Sequence, residues 1–187
     1  MLSKIKKQVN SFLNPLGKFL ASKGVKPNQI TLIGFVFGLF AAFAVYKNQL
    51  ILGAAFILLN GFFDILDGVI ARSGNMITKF GAYLDSVLDR YADIAIKVSL
   101  GFAGVDWIVI AFTLSGALMV SYTRARAEKF IDECSVGLAE RGERLIILTA
   151  GLLTGYVQLS TIVVGILSHI TAIQRILFTR KVLKKEV

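Results

Sequence analysis

The sequence predicts an all-α integral membrane protein in which six transmembrane helices follow an amphipathic helix at the membrane surface. Of its 187 residues, 55% are hydrophobic and 18% are charged, whereas a soluble domain averages about 25% charged residues. This apolar content excludes a disordered chain. The net charge is +9, but the composition is not that of a soluble protein. A nucleic-acid-binding domain is therefore not expected. We predict a single membrane domain over residues 1–187, with membrane lipid and not nucleic acid as its surroundings.

Six stretches are apolar over most of the length that a helix needs to cross the hydrocarbon core of a bilayer, which is about 20 residues. Helices are expected because backbone polar groups within lipid must be hydrogen-bonded internally. In chain order the predicted spans, from about residue 29 to 177, are Gln29–Tyr46, Leu50–Ala71, Gly81–Phe102, Trp107–Ala127, Leu145–Tyr156 (a short span, with Arg141 as an alternative start) and Leu159–Leu177.

The basic residues predict which side of the membrane each connection occupies. Lys and Arg cluster before the first span, in the connections 72–80 and 128–143, and after the last span, whereas the opposite side has only Lys47. Cytoplasmic connections carry the excess of Lys and Arg in membrane proteins. Both termini and both basic connections are therefore predicted to be cytoplasmic, in a multi-pass protein of the cell membrane.

The segment 1–26 has the pattern of an amphipathic helix at the cytoplasmic interface. Its apolar residues recur at helical spacing, with lysines elsewhere on the surface. The apolar positions are Ile5, Val9, Phe12, Leu13, Leu16, Phe19 and Leu20. We expect the helix to be interrupted near Asn14-Pro15. A simple basic anchor on anionic lipid is an equally supported interpretation.

Acidic residues are concentrated around the connection between the second and third spans. Asp64 and Asp67 are spaced i,i+3 at the end of one span, and Asp85 and Asp89 are spaced i,i+4 at the start of the next. Each pair therefore lies on one helical face. An ionised carboxylate within a bilayer costs roughly 2.5–3.5 kcal/mol, so such residues usually mark a function. The short connection predicts that the two pairs meet.

Divalent cations would relieve the repulsion between these carboxylates, and hard oxygen ligands favour Mg²⁺, with Mn²⁺ as an alternative. Two such ions suit phosphoryl transfer. Pairing of the acids with Arg72, Arg90 and Lys97 is the alternative, and it is the better interpretation for Asp93. A cation transporter is a further alternative, although its pathway should open on both faces and the outer side has few polar residues.

The spacing of the cluster is more specific than its acids. From Asp64 to Asp89 the chain matches D-x2-D-G-x2-A-R-x8-G-x3-D-x3-D at every defined position, and it thereby resembles the CDP-alcohol phosphotransferases. The resemblance implies that Asp64, Asp67 and Asp85 are metal ligands. It implies that Asp89 is the general base and also touches the second metal. The implied substrate is CDP-diacylglycerol or CDP-archaeol, attacked by an alcohol with release of CMP, in an enzyme that is commonly a homodimer.

Small and polar residues around the acids predict a CDP-lipid site. Gly68 and Ala71 leave room for phosphates, Arg72 can bind a pyrophosphate with two donors, and Thr78 offers a hydroxyl. Gly81 lets the third span begin close to the second. By resemblance, the start of the first span also belongs to this site: Asn28, Gln29, Ile30 and Thr31. Helix packing by the glycines and helix capping by Asn28 are the alternatives.

A group of arginines predicts an acceptor alcohol that bears a phosphate. They are Arg124, Arg126, Arg141, Arg144 and Arg175. The strings around them, SYTRARAE and ERGERL, resemble the part of the family that uses myo-inositol 1-phosphate, although Arg124 and Gly142 stand where relatives have Lys and Pro. The expected reaction is transfer of a phosphatidyl or archaetidyl group to that hydroxyl. Glycerol 3-phosphate remains an alternative acceptor, and topology alone explains some of these charges.

Overall fold

The computed structural model describes the backbone of residues 2–185 and the side chains of residues 12–185. Within this part of the chain there are seven helices and no strands, so the all-α class is confirmed. In chain order they are α1 (Leu2–Ser22), α2 (Pro27–Tyr46), α3 (Leu50–Ser73), α4 (Lys79–Phe102), α5 (Trp107–Ala127), α6 (Arg141–Thr154) and α7 (Val157–Leu183).

Among the described residues, four helices are long and apolar enough to cross a membrane, namely α2, α3, α5 and α7. The chain is thus a multi-pass membrane protein. The other two predicted spans differ for physical reasons. α4 has 24 residues but contains several charged side chains. α6 has 14 residues, or about 21 Å of helix, against a hydrocarbon core of about 30 Å. The total of six spans stays a prediction.

The predicted interruption of α1 near Asn14-Pro15 is wrong, because the helix continues through Pro15. Proline removes one backbone hydrogen bond from a helix, and contacts with α3 offset that loss here. Leu13 is buried, and a Cβ on Gly17 would lie 2.6 Å from a methyl group of Val69. The predicted apolar positions Ile5 and Val9 lie outside the side chains that the structure describes.

The main apolar core lies at one end of the bundle. It joins residues that flank the α2–α3, α4–α5 and α6–α7 connections, so these three connections lie together. Its members include Val45, Ala54, Leu100, Val105, Leu152 and Val157. The connections α1–α2, α3–α4 and α5–α6 therefore lie at the opposite end, where the acidic residues are. Many large apolar side chains elsewhere on the helices remain exposed, as expected for surfaces that face lipid.

α2 packs against both α3 and α4 and forms the floor between them. This close packing depends on Gly38, where a Cβ would lie 2.8 Å from the Cβ of Ala92 on α4 and 3.2 Å from Nδ2 of Asn60 on α3. At the start of α4, the Thr78 hydroxyl accepts a hydrogen bond from the Gly81 amide at 2.9 Å and caps the helix. The polar halves of α3 and α4 thus face each other across α2.

Candidate active site

Three of the predicted acids converge in the cleft between α3 and α4. One carboxylate oxygen from each of Asp64, Asp85 and Asp89 lies within 4.8 Å of the other two. Asp85 Oδ1 is buried and has no hydrogen-bond partner among the described residues. Oxygen ligands at this spacing fit a hard divalent cation, and an unpartnered buried carboxylate oxygen is consistent with a ligand that completes the site.

Asp67 lies one helical turn beyond Asp64 and is held by the first span. Its Oδ2 accepts a hydrogen bond of 2.6 Å from the hydroxyl of Thr31 on α2, and it is 6% exposed. A cavity of about 10 Å³, which is roughly the room for one water, is lined by Asp67 and Thr31 together with Asp64, Asp85 and Asp89. The four acids that the spacing predicted therefore border one small polar cavity.

Arg141, at the start of α6, lies among these acids. Its Nη1 is 3.0 Å from Asp64 Oδ1 and 2.8 Å from Asp89 Oδ1. Its Nε is 3.3 Å from Asp93 Oδ1. A guanidinium from a third helix thus offsets the mutual repulsion of the carboxylates. Arg141 is placed beside the predicted general base and metal ligands, rather than on an outer basic surface.

Asp93 belongs to a buried ion-pair network next to the acid cavity. Its Oδ2 lies 3.1 Å from Nζ of Lys97, which is 1% exposed, and 3.6 Å from Nη2 of Arg144. The pairing predicted as the better interpretation for Asp93 agrees with this geometry. Arg90 lies at the rim, 3.6 Å from Asp89, and its Nε donates to the Ser121 hydroxyl at 2.9 Å. The network connects the acid cavity to the bundle core.

Asn60 contributes to the site and was missed by the sequence reasoning. It is 2% exposed, its Nδ2 donates to the Gly34 carbonyl at 2.8 Å, and its Oδ1 accepts from Arg141 Nη2 at 3.0 Å. The side chain therefore ties α2, α3 and α6 together. A signal was available, because a polar amide one turn before Asp64 in an apolar span needs buried partners.

The residues predicted for the CDP-lipid site form two groups. A Cβ on Gly81 would lie 2.9 Å from both Asn28 Oδ1 and Thr78 Oγ1, so these three residues meet where α2 and α4 begin. A Cβ on Gly68 would lie 3.1 Å from Nη1 of Arg72. The glycine therefore leaves room for that guanidinium, next to the half-buried Ala71.

Two other residues of this predicted site support the helices. Gln29 Oε1 accepts a hydrogen bond of 2.9 Å from the Lys26 amide and so caps α2. Capping by Asn28 is wrong, because Asn28 already lies within the helix that Pro27 begins. Ile30 is buried against Leu66 and Ile70. Their side chains are engaged in structure, so of this segment Asn28 and Thr31 present polar atoms to the cleft.

The structure does not bring the five predicted acceptor arginines to one point. Arg141 and Arg144 lie at the acid network, whereas the Nε of Arg124 pairs with Glu128 at 2.8 Å. The guanidinium of Arg126 lies 5.0 Å from the ring centroid of Phe130. Arg124 and Arg126 point to different faces of α5, because residues two apart on a helix are about 200° apart around its axis.

Two of these arginines also donate hydrogen bonds to backbone carbonyls. Arg175 Nε donates to Val136 O at 2.9 Å, and its Nη1 donates to Val120 O at 2.6 Å. Arg144 Nη1 donates to Ala139 O at 3.0 Å. Both side chains are buried. These contacts connect α7 and α6 to the segment between α5 and α6. The two arginines therefore stabilise the packing of these segments, in addition to any binding of an anion.

Comparison with known proteins extends the resemblance to nearly the whole chain. A family model described as CDP-alcohol phosphatidyltransferase matches residues 25–180. The archaetidylinositol phosphate synthase of Pyrococcus horikoshii is 43% identical over 183 residues, which is 97% of each chain.

Solved structures agree with the fold as well. The phosphatidylinositol phosphate synthase of Mycobacterium tuberculosis with CDP-DAG bound is 27% identical, with a TM-score of 0.77 over 89% of this chain and 92% of that one. The structure of the same protein with manganese and citrate is 28% identical, with a TM-score of 0.78 over 89% and 88% of the two chains. The range matched by the family model, residues 25–180, includes all the residues that line the acid cavity.

Proposed function

The chain belongs to the CDP-alcohol phosphatidyltransferase family, whose members are enzymes, and we propose that it makes a phospholipid with an inositol phosphate head group. In this proposal a phosphatidyl or archaetidyl group passes from a CDP-linked lipid to a hydroxyl of myo-inositol 1-phosphate, and CMP is released. The observation that carries the proposal is the convergence of Asp64, Asp85 and Asp89 in the cleft between α3 and α4.

The acids would hold the metal and move the proton. Asp64, Asp67, Asp85 and Asp89 would bind two Mg²⁺, or Mn²⁺ as in the relative of known structure, which would neutralise charge on the diphosphate. Thr31 fixes the carboxylate of Asp67 by its hydrogen bond. Asp89 would accept the proton of the acceptor hydroxyl as that oxygen bonds to the lipid-side phosphorus and the bond to CMP breaks.

The substrates would be held by the residues that surround the acids. Asn28, Thr78 and Gly81 are grouped at the start of α2 and α4 and would contact the cytidine diphosphate, with Arg72 beside Gly68 on the phosphates. Arg141 contacts Asp89 and is placed to meet a phosphorylated acceptor as that acceptor approaches the base. Arg124 and Arg144 would complete the acceptor site, whereas Arg126 and Arg175, which line a separate groove between α5 and α7, would not. The CDP-DAG-bound relative and the name of the archaeal relative support this pair of substrates.

The membrane arrangement is part of the proposal. α2 to α7 would form six spans, α1 would lie in the cytoplasmic interface, and both termini and the acid cavity would face the cytoplasm, in a homodimer. The distribution of Lys and Arg supports this orientation. The exposed Phe12 and Phe19 of α1 support an interfacial position for that helix.

A transfer assay with purified protein tests the function. CDP-archaeol and CDP-diacylglycerol are each offered with labelled inositol 1-phosphate, glycerol 3-phosphate, inositol or serine, and labelled lipid and CMP are measured. We expect product with inositol 1-phosphate in Mg²⁺ and none after chelation. Asp89→Asn should abolish it, whereas Asp132→Asn, an exposed acid of the α5–α6 connection, should not.

The other outcomes contradict the proposal in different ways. Product with glycerol 3-phosphate alone would establish the alternative acceptor. Product with inositol or serine alone would exclude a phosphorylated acceptor. Cation flux in proteoliposomes without any CMP release would favour a transporter.

A further inference from the structure

A second and much larger cavity lies apart from the acid cluster, between the C-terminal halves of α5 and α7. It is a groove of about 850 Å³, within the range of roughly 300–1,000 Å³ that is common for sites of small organic ligands. Most of its wall is apolar and includes Met119, Phe130, Ile176 and Leu183. Nothing in the proposed transfer reaction requires this groove.

The end of the groove near the helix C-termini is cationic. Arg126 of α5 and Arg180 and Lys184 at the end of α7 line it, and all three are exposed. Within residues 12–185, none of these three has a carboxylate oxygen within 4.0 Å. A bound anion would therefore meet cations that have no competing acidic partner there.

We propose that this groove binds an anionic phospholipid of the surrounding bilayer, with its phosphate at the cations and an acyl chain along the apolar wall. Basic pockets between transmembrane helices on the cytoplasmic side recognise anionic head groups in this way. A zwitterionic lipid would gain less from three cations, and a soluble anion would leave the apolar wall without a partner. Charge and polarity along the groove thus match one class of ligand.

The proposal has a structural consequence for the pair of helices. Arg175 closes the inner side of the groove and already ties α7 to α5 through the Val120 carbonyl. A phosphate between Arg126 and Arg180 would join the same two helices at their ends. The bound lipid should therefore stabilise the protein against unfolding, whatever the transfer activity proves to be.

The test compares lipid affinity in two charge-matched variants. Purified protein in detergent is titrated with phosphatidylglycerol or phosphatidylcholine, and binding is measured by native mass spectrometry and by the rise in the unfolding temperature. Arg180→Gln with Lys184→Gln removes two cations from the groove. Lys181→Gln with Lys185→Gln removes two exposed cations from the same end of the chain that do not line it. Neither pair belongs to the proposed catalytic or substrate-binding residues.

A basic residue near an anionic head group contributes about fivefold to binding, so the groove variant should bind phosphatidylglycerol about 25-fold more weakly. The matched variant should keep the affinity of the wild type. Ile176→Trp, at an exposed position of the wall, should also weaken binding while it leaves the cations in place.

Three results would overturn the proposal. Equal losses in the two double variants would mean general attraction to a basic surface. Equal affinity for phosphatidylcholine would remove the role of the cations. If inorganic phosphate abolished the binding of phosphatidylglycerol and Ile176→Trp had no effect, the apolar wall would bind no acyl chain.

Discussion

Replacing Asp93 by asparagine should destabilise the protein severely, because this carboxylate is the counterion of several buried cations. Its oxygens lie 3.1 Å from Lys97, 3.3 Å from Arg141 and 3.6 Å from Arg144. Lys97 is 1% exposed, and among the described residues Asp93 is the carboxylate within ion-pair distance of its ammonium. Asp93→Asn therefore leaves a buried ammonium without a counterion.

The expected size follows from these distances. At an effective dielectric constant of about 20, each contact has a Coulomb energy of about 5 kcal/mol before the cost of desolvation. Breaking a buried pair by removing one partner typically costs about 3–5 kcal/mol, and we expect that loss for Asp93→Asn. Lys97→Met should cost less, about 1–2 kcal/mol, because two arginines would still face Asp93.

Unfolding in detergent micelles of the wild type, both single variants and the double variant gives a double-mutant cycle. The double variant has no buried lysine left without a partner, so it should be more stable than the sum of the single losses by about 1–3 kcal/mol. The exposed Asp132→Asn should change the free energy of unfolding by less than about 0.5 kcal/mol. Additive single losses, or a greater loss from Lys97→Met than from Asp93→Asn, would refute the reasoning.

Three further variants probe the acid cavity. Thr31→Val keeps the volume but removes the hydrogen bond to Asp67, and it should weaken Mn²⁺ binding by about 10–100-fold in a calorimetric titration; unchanged affinity would mean that the hydroxyl does not orient a ligand. Gly81→Ala would bring a Cβ to 2.9 Å from Asn28 Oδ1, so KM for the CDP-lipid should rise while KM for the acceptor stays the same. Arg141→Lys keeps the charge but loses the planar fork, and kcat should fall by at least about tenfold; wild-type kcat would exclude a role for that fork.

The acids of the candidate site are accessible to sequence reasoning because their geometry is local. Spacing of i,i+3 and i,i+4 places Asp64 with Asp67, and Asp85 with Asp89, on single helical faces. One short connection then brings the two helix ends to the same level. The structure brings three of these acids to within 4.8 Å and lets the fourth border the same cavity. The apolar runs similarly predict the ends of α2 to α5 to within two residues, whereas α7 extends six residues beyond its predicted end.

The partners of Arg141 are not accessible in the same way, because they depend on the packing of helices far apart in sequence. Arg141 lies 48 residues from Asp93 and 81 residues from Asn60. Its charge near a predicted span is consistent with topology, with lipid contact or with a buried site. The directions of Arg124 and Arg126, by contrast, are accessible to sequence reasoning, because their separation by two positions already argues against a shared pocket.

The segment before α6 explains how the cation of Arg141 comes to lie beside the acids. α6 has 14 residues, and the connection before it, residues 128–140, packs in part against α7. Cys134 and Ala139 are buried, and buried backbone needs partners. The Ala139 amide donates to the Thr171 hydroxyl at 3.0 Å, and the Leu138 amide donates to Gln174 Oε1 at 3.1 Å. Since α6 begins two residues after this anchored segment, its first turn starts within the bundle and places Arg141 at the carboxylates. α7 forms none of the ion pairs with the acids described above. Through its hydrogen bonds to the preceding segment it nevertheless sets the position of Arg141, which does form them.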